Sequence, residues 1–383
     1  MRTRLSTIIL ACAAIAGAAM VSGCSKSPFR LSGQAINFTT RAGGSASTKT
    51  AYGTDQEKEI DGVKRNFQAL DWVTGDVITI ASPQAVVQND ADEAHASNYV
   101  VTVKTKGVPS TGSVQNESAN GLMWTDKESY DFYAVYPKTR EGLTLNYTDG
   151  KVTATIPAEQ ELTGETTTKD VTTGKGEDAV TITYKVYQPD MQYAYMTAVA
   201  KGVTETDEAG AVELEFNPAF TAFEFNVSSI DDEPIELTEF ELLSPEGRSD
   251  KISGSFTMTA GQLSTAAVSA GTQSVKVAMD ETVKETEGLS FTVFTLPVVN
   301  TDALRIRFTS KDGEDATKTS WIDLKYSDDA EKARDNAGKA LTFQPGHKYR
   351  INMLKLPSSQ WKISIVAVFE DWVDAEEEVI IYI

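Results

Sequence analysis

Hydrophobic and polar residues alternate with a period of two over many short stretches of this chain. Gly, Pro, Asn, Asp and Thr, which favour turns, bound these stretches. The clearest are residues 77–80, 130–136, 152–156, 212–216, 223–227, 304–308 and 361–369. Each such strand has one apolar face to bury, and a second sheet is what covers it. The pattern therefore predicts an all-β fold of sandwich architecture.

Helical signals are scarce. Residues 327–340 are the best candidate for a helix, with Ser327 at the cap position, although Gly338 limits the length of that helix. Two polar, turn-rich stretches, 163–178 and 204–210, predict long loops. A third polar stretch, 42–64, separates an early strand-like piece from the next strong strand.

At 383 residues the chain is too long for one ordinary domain. The polar stretch at 204–210 precedes strong alternation that starts at Val212, so we place a domain boundary there. The predicted organisation is a leader over 1–23, an N-terminal β-sandwich domain over 24–208 and a C-terminal β-sandwich domain over 209–383.

The first residues form a basic and then apolar leader. Arg2 and Arg4 are followed by an apolar run over 5–20, and two small residues ending at Gly23 stand immediately before Cys24. This order predicts a bacterial lipoprotein signal that is cut between Gly23 and Cys24. Cys24 then carries the lipid and tethers the chain to a membrane. The alternative is an ordinary secretory signal in which Cys24 is incidental.

Cysteine content and charge exclude several kinds of site and partner. Cys12 leaves with the leader, so the mature chain has no pair of cysteines for an internal disulfide or a thiolate metal site. The formal net charge of −20 moves to about −22 when the leader takes Arg2 and Arg4 with it, and so acidic a surface repels phosphate backbones. Nucleic acid is therefore not expected as a partner.

The sequence shows no pattern of catalytic or cofactor-binding residues. His95 and His347 stand apart, without a cysteine or spaced carboxylates nearby, and are expected at the surface and not as metal ligands. Acidic clusters at 231–233 and 370–378 lack the spacing of a calcium loop. We predict no enzyme, no metal and no cofactor, while a hidden carboxylate pair of the glycosidase kind stays open.

Five tryptophans lie in or beside the strand-like stretches, and packing in the core is the expectation for them. A platform on which carbohydrate stacks is the alternative. The five are Trp72, Trp124, Trp321, Trp361 and Trp372.

Five motifs, in order along the chain, resemble those of fimbrillin-family lipoproteins. Residues 69–80, ALDWVTGDVITI, resemble the family's D-W-x-x-G-D-x-I-x-I strand, and Trp124 followed by YDFYAVYP at 130–137 resembles its tryptophan and F-Y-A-x-Y-P strand. The others are IPAEQ at 156–160, similar to a P-x-x-Q turn, ISGSF at 252–256, similar to an x-x-G-x-F strand, and FQPGHKY at 343–349, similar to an F-x-P-G-x-x-Y strand start. Behind a lipoprotein signal, this order is specific to the family and not to one member.

The resemblance implies two transthyretin-like β-sandwich domains with Greek-key antiparallel sheets, in a subunit of type V fimbriae. It also implies export as a lipoprotein to the outer membrane, where an arginine-specific protease cuts after an early strand. Loss of that strand opens a groove in the N-terminal sandwich, and a strand from the next subunit fills it. Such donor-strand exchange satisfies the unpaired backbone groups and the apolar groove together.

Several arginines are candidates for the cut. Residues 35–40 form a short strand-like piece, Arg41 follows it, and a flexible stretch starts at Ala42. We take the bond between Arg41 and Ala42 as the predicted cleavage site. Arg65 is the rival, although a cut there removes more chain, and Arg30 lies close to the tether. No cut at all suits an anchor or accessory subunit that keeps its lipid.

The last residues are apolar on both faces, more than a half-exposed edge strand requires. They form either the final strand of the C-terminal domain or the strand donated to a neighbour. The absence of a long extension beyond them favours a tip, accessory or anchor position over the shaft. These residues are Val379, Ile380, Ile381, Tyr382 and Ile383.

Together these features predict a structural, adhesive fimbrial subunit that joins other fimbrial subunits by β-strand addition. Lipid on Cys24 provides its contact with the outer membrane, and a host surface protein or glycan is a further candidate partner. The alternative is a monomeric, lipid-anchored surface protein that binds glycan or host protein.

Overall fold

The structure is a computed structural model of the chain. It describes residues 33–42, 51–60, 63–87, 94–106, 110–118, 120–162, 166–173, 180–204, 210–230, 234–297, 301–312, 316–325, 342–356, 361–367 and 381–382. For 51–70, 172–173, 312, 316–317, 366–367 and 381–382 it describes the backbone alone. The predicted helix at 327–340 lies outside these residues.

The described residues form twenty-seven β-strands and one short 3-10 turn, Met191–Tyr193. The first fourteen strands are β1 (Phe38–Ala42), β2 (Ala51–Ile60), β3 (Val63–Asp71), β4 (Val77–Ala81), β5 (Val86–Val87), β6 (Ala96–Thr105), β7 (Ser110–Asn116), β8 (Leu122–Met123), β9 (Tyr130–Tyr136), β10 (Leu143–Leu145), β11 (Lys151–Ile156), β12 (Glu159–Glu161), β13 (Thr166–Thr173) and β14 (Val180–Tyr187). The others are β15 (Met196–Val203), β16 (Val212–Pro218), β17 (Thr221–Ser229), β18 (Ile235–Leu243), β19 (Ser253–Thr259), β20 (Gln262–Thr272), β21 (Ser274–Val283), β22 (Glu287–Thr295), β23 (Ala303–Asp312), β24 (Ala316–Lys325), β25 (Lys348–Lys355), β26 (Trp361–Ala367) and β27 (Ile381–Tyr382). The all-β prediction is confirmed. No helix in the described part of the chain has the length and hydropathy to cross a bilayer.

Seven strands form a closed barrel in the order β1-β16-β15-β9-β4-β6-β7. All neighbours in it are antiparallel except β1 and β16, which run parallel. Because successive side chains alternate between the two faces of a strand, every second residue points inward. Ile78, Phe132 and Leu214 are among the fully buried residues that result.

Three sheets of four or more strands accompany the barrel. A four-stranded sheet has the order β10-β11-β19-β20, a five-stranded sheet β12-β21-β18-β23-β24, and a seven-stranded sheet β13-β14-β22-β17-β25-β26-β27. Antiparallel pairs predominate, while β12–β21, β14–β22 and β17–β25 are parallel. Two ribbons, β2-β3 and β5-β8, consist of two strands each.

The boundary predicted between 208 and 209 stays a prediction, and strand pairing crosses this position. β16 begins after it yet lies in the barrel between β1 and β15. β11, β12 and β14 precede it and pair with β19, β21 and β22. A turn-rich stretch marks a connection between two strands, whereas the sheet that a strand joins depends on partners far along the chain.

Two of the polar stretches contain strands, one of them a stretch that was predicted to be a loop. β13 (Thr166–Thr173) pairs along its whole length with β14, and β2 (Ala51–Ile60) forms a ribbon with β3. The loop prediction is therefore wrong for β13. Its threonines have a high preference for strands even where the segment is polar.

The first two family motifs contact each other inside the barrel. Asp76 accepts hydrogen bonds from the Val73 backbone N–H at 2.9 Å and from the Tyr136 hydroxyl at 3.2 Å. Trp72, with its ring centroid 5.6 Å from that of Tyr136, packs edge-on against it. The motif residues therefore hold the turn before β4 against the end of β9.

Two further motif residues form side-chain hydrogen bonds to backbone groups, in addition to the backbone pairing of their own strands. The Gln160 amide donates to the Phe294 carbonyl oxygen at 2.8 Å and accepts from the Phe294 N–H at 3.1 Å, as a strand residue does. The Tyr349 hydroxyl accepts from the Gln344 N–H at 2.6 Å and donates to the Thr342 carbonyl oxygen at 3.3 Å. Both motifs thus stabilise the fold.

A buried carboxylate lies between two cations in the seven-stranded sheet. Glu224 of β17 lies 2.6 Å from Lys348 Nζ and 2.6 Å from Arg350 Nε, both on β25. Burial alone raises the pKa of Glu224, but attraction to the two cations outweighs it, so the pKa lies well below its ordinary value. This cluster ties the parallel pair β17–β25 together by side chains as well as backbone.

Candidate functional site

β1 closes the barrel between β16 and β7. It runs parallel to β16, with Phe38 opposite Val212, and antiparallel to β7, with Ala42 opposite Ser110. Because both edges of β1 are paired, its removal exposes unpaired backbone groups on two neighbouring strands at once. The barrel would then have a slot one strand wide, which we call the β1 slot.

β1 directs alternate side chains into the barrel. Phe38, Thr40 and Ala42 are buried, whereas Thr39 is half-buried and Arg41 is exposed. This alternation gives the strand one face for the core and one for solvent. Any strand that replaces β1 must supply an equivalent inner face.

Phe38 is the largest side chain that β1 contributes to the core. Its ring packs edge-on against Tyr99 and Phe132, with centroids 5.3 Å and 5.2 Å away. Burying a phenylalanine contributes about 1.5–3 kcal/mol, and each such aromatic pair adds about 0.5–1.5 kcal/mol. Phe38 is therefore the anchor of β1.

β1 approaches β7 most closely at Gly112. A Cβ on Gly112 would lie 2.7 Å from Val101 Cγ1, closer than side chains tolerate, and 3.0 Å from Thr40 Oγ1, a tight contact. Thr40 also donates a hydrogen bond of 3.4 Å to the Gly112 carbonyl oxygen. The close approach of backbone to side chain requires glycine at this position.

The chain ahead of β1 is held by a separate set of backbone hydrogen bonds. Gly33 N–H donates to the Trp124 carbonyl oxygen at 2.8 Å, and Ile36 N–H donates to that of Leu122 at 2.9 Å. Residues 33–42, which we call the closing segment, are therefore held against β8 over their first half and in the barrel over their second.

Arg41 and Ala42 lie inside β1, whereas the sequence placed Arg41 after the strand and Ala42 in a flexible stretch. The exposed Arg41 stands opposite Glu215 of β16. Ala42 is buried and is the last residue of β1. The bond between them thus lies at the end of a paired strand, and its cleavage stays a prediction.

The other residues predicted around the cut lie elsewhere. Gly23, Cys24 and Arg30 are outside the described residues. Arg65 lies in β3, opposite Lys58 of β2. The structure therefore places Arg41 in the barrel and Arg65 in a separate ribbon.

At the C-terminus, Ile381 and Tyr382 form β27 at the edge of the seven-stranded sheet. They lie opposite Ile363 and Lys362 of β26. The remaining residues of the predicted C-terminal strand are outside the described part: Val379, Ile380 and Ile383. The two described residues are thus paired within their own chain.

Both histidines are half-buried, where the sequence predicted surface positions. His95 stacks on Tyr147, with ring centroids 4.5 Å apart. His347 Nδ1 lies 2.6 Å from the Pro345 carbonyl oxygen, and burial lowers the pKa of this histidine. Among the described side chains, no three His, Cys, Asp or Glu residues converge as a metal site requires.

Core packing is confirmed for Trp72, Trp124 and Trp361, which are buried. It is wrong for Trp321, which is 48% exposed, and Trp372 lies outside the described residues. Period-two alternation assigns Trp321 to one face of β24 but does not say whether another layer covers that face.

Two arginines hold the Trp321 side chain in place. The guanidinium carbons of Arg305 and Arg307 lie 5.6 Å and 5.5 Å from the indole centroid. Both arginines belong to β23, the strand that pairs with β24. Arg305 Nε also lies 2.7 Å from Asp323 Oδ1 of β24. The indole is therefore held by cation–π contacts to arginines that are themselves fixed.

Comparison with known proteins supports what the motifs indicate. The model of the fimbrillin-like family matches residues 65–372. No curated protein matches the chain.

Among solved structures, the chain is similar to a "putative cell adhesion protein" from Bacteroides uniformis, with 16% identity and a TM-score of 0.47, over 89% of this chain and 98% of that one. A second, from Bacteroides ovatus, has 14% identity and a TM-score of 0.46, over 90% of this chain and 99% of that one. The tip fimbrial protein Mfa3 from Porphyromonas gingivalis has 9% identity and a TM-score of 0.33, over 88% of this chain and 100% of that one. The family model covers most of the chain, and on that ground the protein belongs to the fimbrillin-like family.

Proposed function

We propose that this protein is a structural subunit of a surface fimbrium, and that its barrel accepts a strand from a neighbouring subunit in place of β1. The observation that carries the proposal is the position of β1, which closes the barrel with both edges paired and one apolar face buried. A replacement strand satisfies the same backbone groups and fills the same core. This role requires no catalytic turnover.

Chain connectivity supports β1 as the strand that is exchanged. β1 is the first strand of the barrel, so a single cut after it separates it from the rest of the chain. Any other barrel strand is connected at both ends and needs two cuts. Cleavage between Arg41 and Ala42 leaves only Ala42 of the closing segment on the body.

The cut requires local opening of the strand, because a protease binds its substrate unpaired. Arg41 and Ala42 lie at the end of β1, where fraying costs the least free energy. The exposed Arg41 side chain is accessible to a specificity pocket before the backbone opens. These features favour Arg41 over Arg65 as the cleavage site.

The proposed route begins with export as a lipoprotein. Signal cleavage between Gly23 and Cys24 leaves Cys24 acylated, and the lipid carries the precursor to the outer membrane. The later cut at Arg41 releases the lipid together with β1. The pairing of Ile381 and Tyr382 with β26 supports a role for this segment as the final strand of its own sheet.

The experiment is mass spectrometry of the N-terminal peptide of the protein taken from the cell surface, for the wild type, Arg41→Ala and Arg65→Ala. We expect a start at Ala42 in the wild type and in Arg65→Ala, with denaturant-resistant ladders on gels. Arg41→Ala should retain acylated Cys24 and lose the ladders. Acylated Cys24 as the only wild-type form would contradict the cleavage step.

A second function, glycan binding, is favoured by the exposure of the Trp321 side chain. A sugar ring stacks on a flat indole, and the neighbouring carboxylate and guanidinium groups can bind its hydroxyls. The test is binding of the mature chain to an array of immobilised glycans. Trp321→Ala should abolish binding and Trp321→Phe retain part of it. Tyr147→Ala, the matched change at the other exposed aromatic residue among those described, should leave binding unchanged.

A further inference from the structure

The four-stranded sheet β10-β11-β19-β20 contains no acidic residue, although the chain has 55 Asp and Glu residues and a net charge of −20. Its one charged residue is Lys151, at the start of β11. The chain holds no acid between Asp250 and Asp280, a stretch that includes all of β19 and β20. This sheet is therefore the surface on which another strongly acidic molecule meets the least repulsion.

β20 (Gln262–Thr272) is the outer strand of this sheet. Within the described residues it pairs with β19 alone. Its eleven residues include no charged residue and no proline, two of the features by which natural edge strands prevent pairing. Other long edge strands carry charges, with Lys169 and Asp170 in β13 and Lys318 and Asp323 in β24. β20 is thus a long edge without these protections.

Register shifts restrict the part of β20 that is suited to pairing. Residues 263–266 have no partner in β19, whereas 267–268 and 270–272 are in register with it. Ser269 forms a single bulge between them, and its hydroxyl donates to the Ser255 carbonyl oxygen at 3.1 Å. Residues 267–272, most of which are in register with β19, are therefore the part suited to a new strand, and the bulge at Ser269 divides that part into two short paired lengths.

The exposed side chains in this half are small. Ala267, Ser269 and Ala270 are exposed, whereas Val268 packs against the core. Side chains project above and below the sheet, so small uncharged ones leave the space beside this edge open to a second strand, which pairs at a spacing of about 4.7–4.9 Å. The outward edge is therefore accessible both sterically and electrostatically.

We propose that two copies of this chain associate by antiparallel pairing of β20 with β20 about a two-fold axis. An isologous contact places identical surfaces together, so an uncharged strand meets an uncharged strand. A basic partner would instead gain more from the acidic surfaces elsewhere on the molecule. The pairing joins the two four-stranded sheets into one and leaves β1 in place, so it is independent of the β1 slot.

The association is expected to be weak and to depend on salt. One strand pair is small beside an interface of about 1,200–2,000 Å² that stable complexes bury. Repulsion between two molecules that each carry a net charge of about −22 without the leader opposes it, and salt screens that repulsion. The dissociation constant should therefore fall as the ionic strength rises. For an interface held by ion pairs, it would rise.

The test is sedimentation velocity of the chain from residue 24 onward, with Cys24→Ser to remove the thiol and Arg41→Ala to prevent cleavage. Dimers should form with concentration, and more readily at about 0.3 M than at about 0.02 M salt, where the Debye length changes several-fold. Ala267→Lys should weaken dimerisation at least about tenfold. Ala278→Lys, the same change at an exposed residue of the interior strand β21, should not.

Disulfide trapping is the second measurement. The variant that starts at residue 24 and carries Cys24→Ser has no cysteine, so Ala267→Cys or Ala270→Cys introduces a single thiol. Mild oxidation should link dimers through one of these positions, the one nearer the axis, and not through Ala278→Cys. A monomer under all conditions, or dimers that Ala267→Lys leaves intact, would overturn the proposal. Neither result bears on the β1 slot, because strand exchange is blocked in the uncut chain.

Discussion

The ring of Phe38 packs edge-on against the ring of Phe132, with the two centroids 5.2 Å apart. Phe38 belongs to the first strand of the barrel, and Phe132 belongs to β9 on its wall. The contact therefore joins the closing segment to the part of the barrel that stays when β1 leaves. It is the place where the loss or replacement of β1 has the largest effect on the core.

Phe38→Ala should destabilise the uncut protein strongly. Removing a buried phenylalanine ring loses its transfer free energy and leaves a cavity, which together lower the free energy of unfolding by about 3–5 kcal/mol. Urea unfolding followed by tryptophan fluorescence measures the change. Thr39→Ala, on the outer face of the same strand, is the control and should cost less than about 1 kcal/mol. Equal losses for the two variants would show that Phe38 does not anchor β1.

Gly112→Val should displace β1 without changing any residue in it. The new side chain collides with Val101 and Thr40, and such overpacking costs about 1–3 kcal/mol. We also expect faster cleavage after Arg41 by an arginine-specific protease, since a displaced strand opens more often.

The control for this variant is Ser113→Val. Ser113 is half-buried one residue further along β7, and its side chain points to the opposite face. Cleavage after Arg41 should proceed in it as in the wild type. Equal acceleration in both variants would point to a general loosening of β7 and not to the seating of β1.

Glu224→Gln should lower the stability of the protein and flatten its dependence on acid pH. The change removes the carboxylate that neutralises two buried cations, which costs about 3–5 kcal/mol near neutral pH. In the wild type the folded pKa of Glu224 is depressed below its ordinary value of 4.5, so its stabilising contribution is present above that value. That contribution is lost as the pH falls toward the depressed pKa, because the unfolded chain binds the proton first.

Urea unfolding between about pH 2 and pH 7 checks this, since ordinary carboxylates titrate within that range. The stability gained between acid and neutral pH should be smaller in Glu224→Gln than in the wild type. Glu236→Gln is the control, because Glu236 forms an exposed ion pair with Lys311 at 3.9 Å. If Glu236→Gln reduces the loss of stability at acid pH as much as Glu224→Gln does, Glu224 is not the main source of that loss.

Period-two alternation was sufficient to predict many individual strands. Residues 212–216 and 223–227 lie within β16 and β17, because a half-buried strand must alternate its side chains whatever its partners are. The burial of the motif residues Trp72 and Tyr136 was likewise predictable, since most large aromatic residues in or beside such strands pack in the core.

Pairing partners and layer coverage were not predictable in this way. β1 pairs with β16 across a long sequence separation, and no local pattern specifies that contact. Trp321 and Trp361 both lie in alternating strands, yet Trp361 is buried and Trp321 is exposed. Alternation separates the two faces of a strand, but burial depends on whether a second layer lies over one of them. The role of Gly112 was not predictable for the same reason, because it depends on β1 lying beside β7.

The β1 slot itself can be tested with a synthetic peptide. Protein that has been cut after Arg41 and freed of its N-terminal fragment should bind a peptide of residues 33–41, because the peptide restores pairing to β16 and β7 and returns Phe38 to its aromatic site. A peptide with Phe38→Ala should bind at least about tenfold more weakly, since it lacks the anchor, and one with Thr39→Ala should bind almost as the wild-type peptide does. Isothermal titration calorimetry measures the affinities, and addition of the wild-type peptide should also prevent the cut protein from forming polymers. Polymers that grow unchanged at saturating peptide would place the exchange of strands at another site.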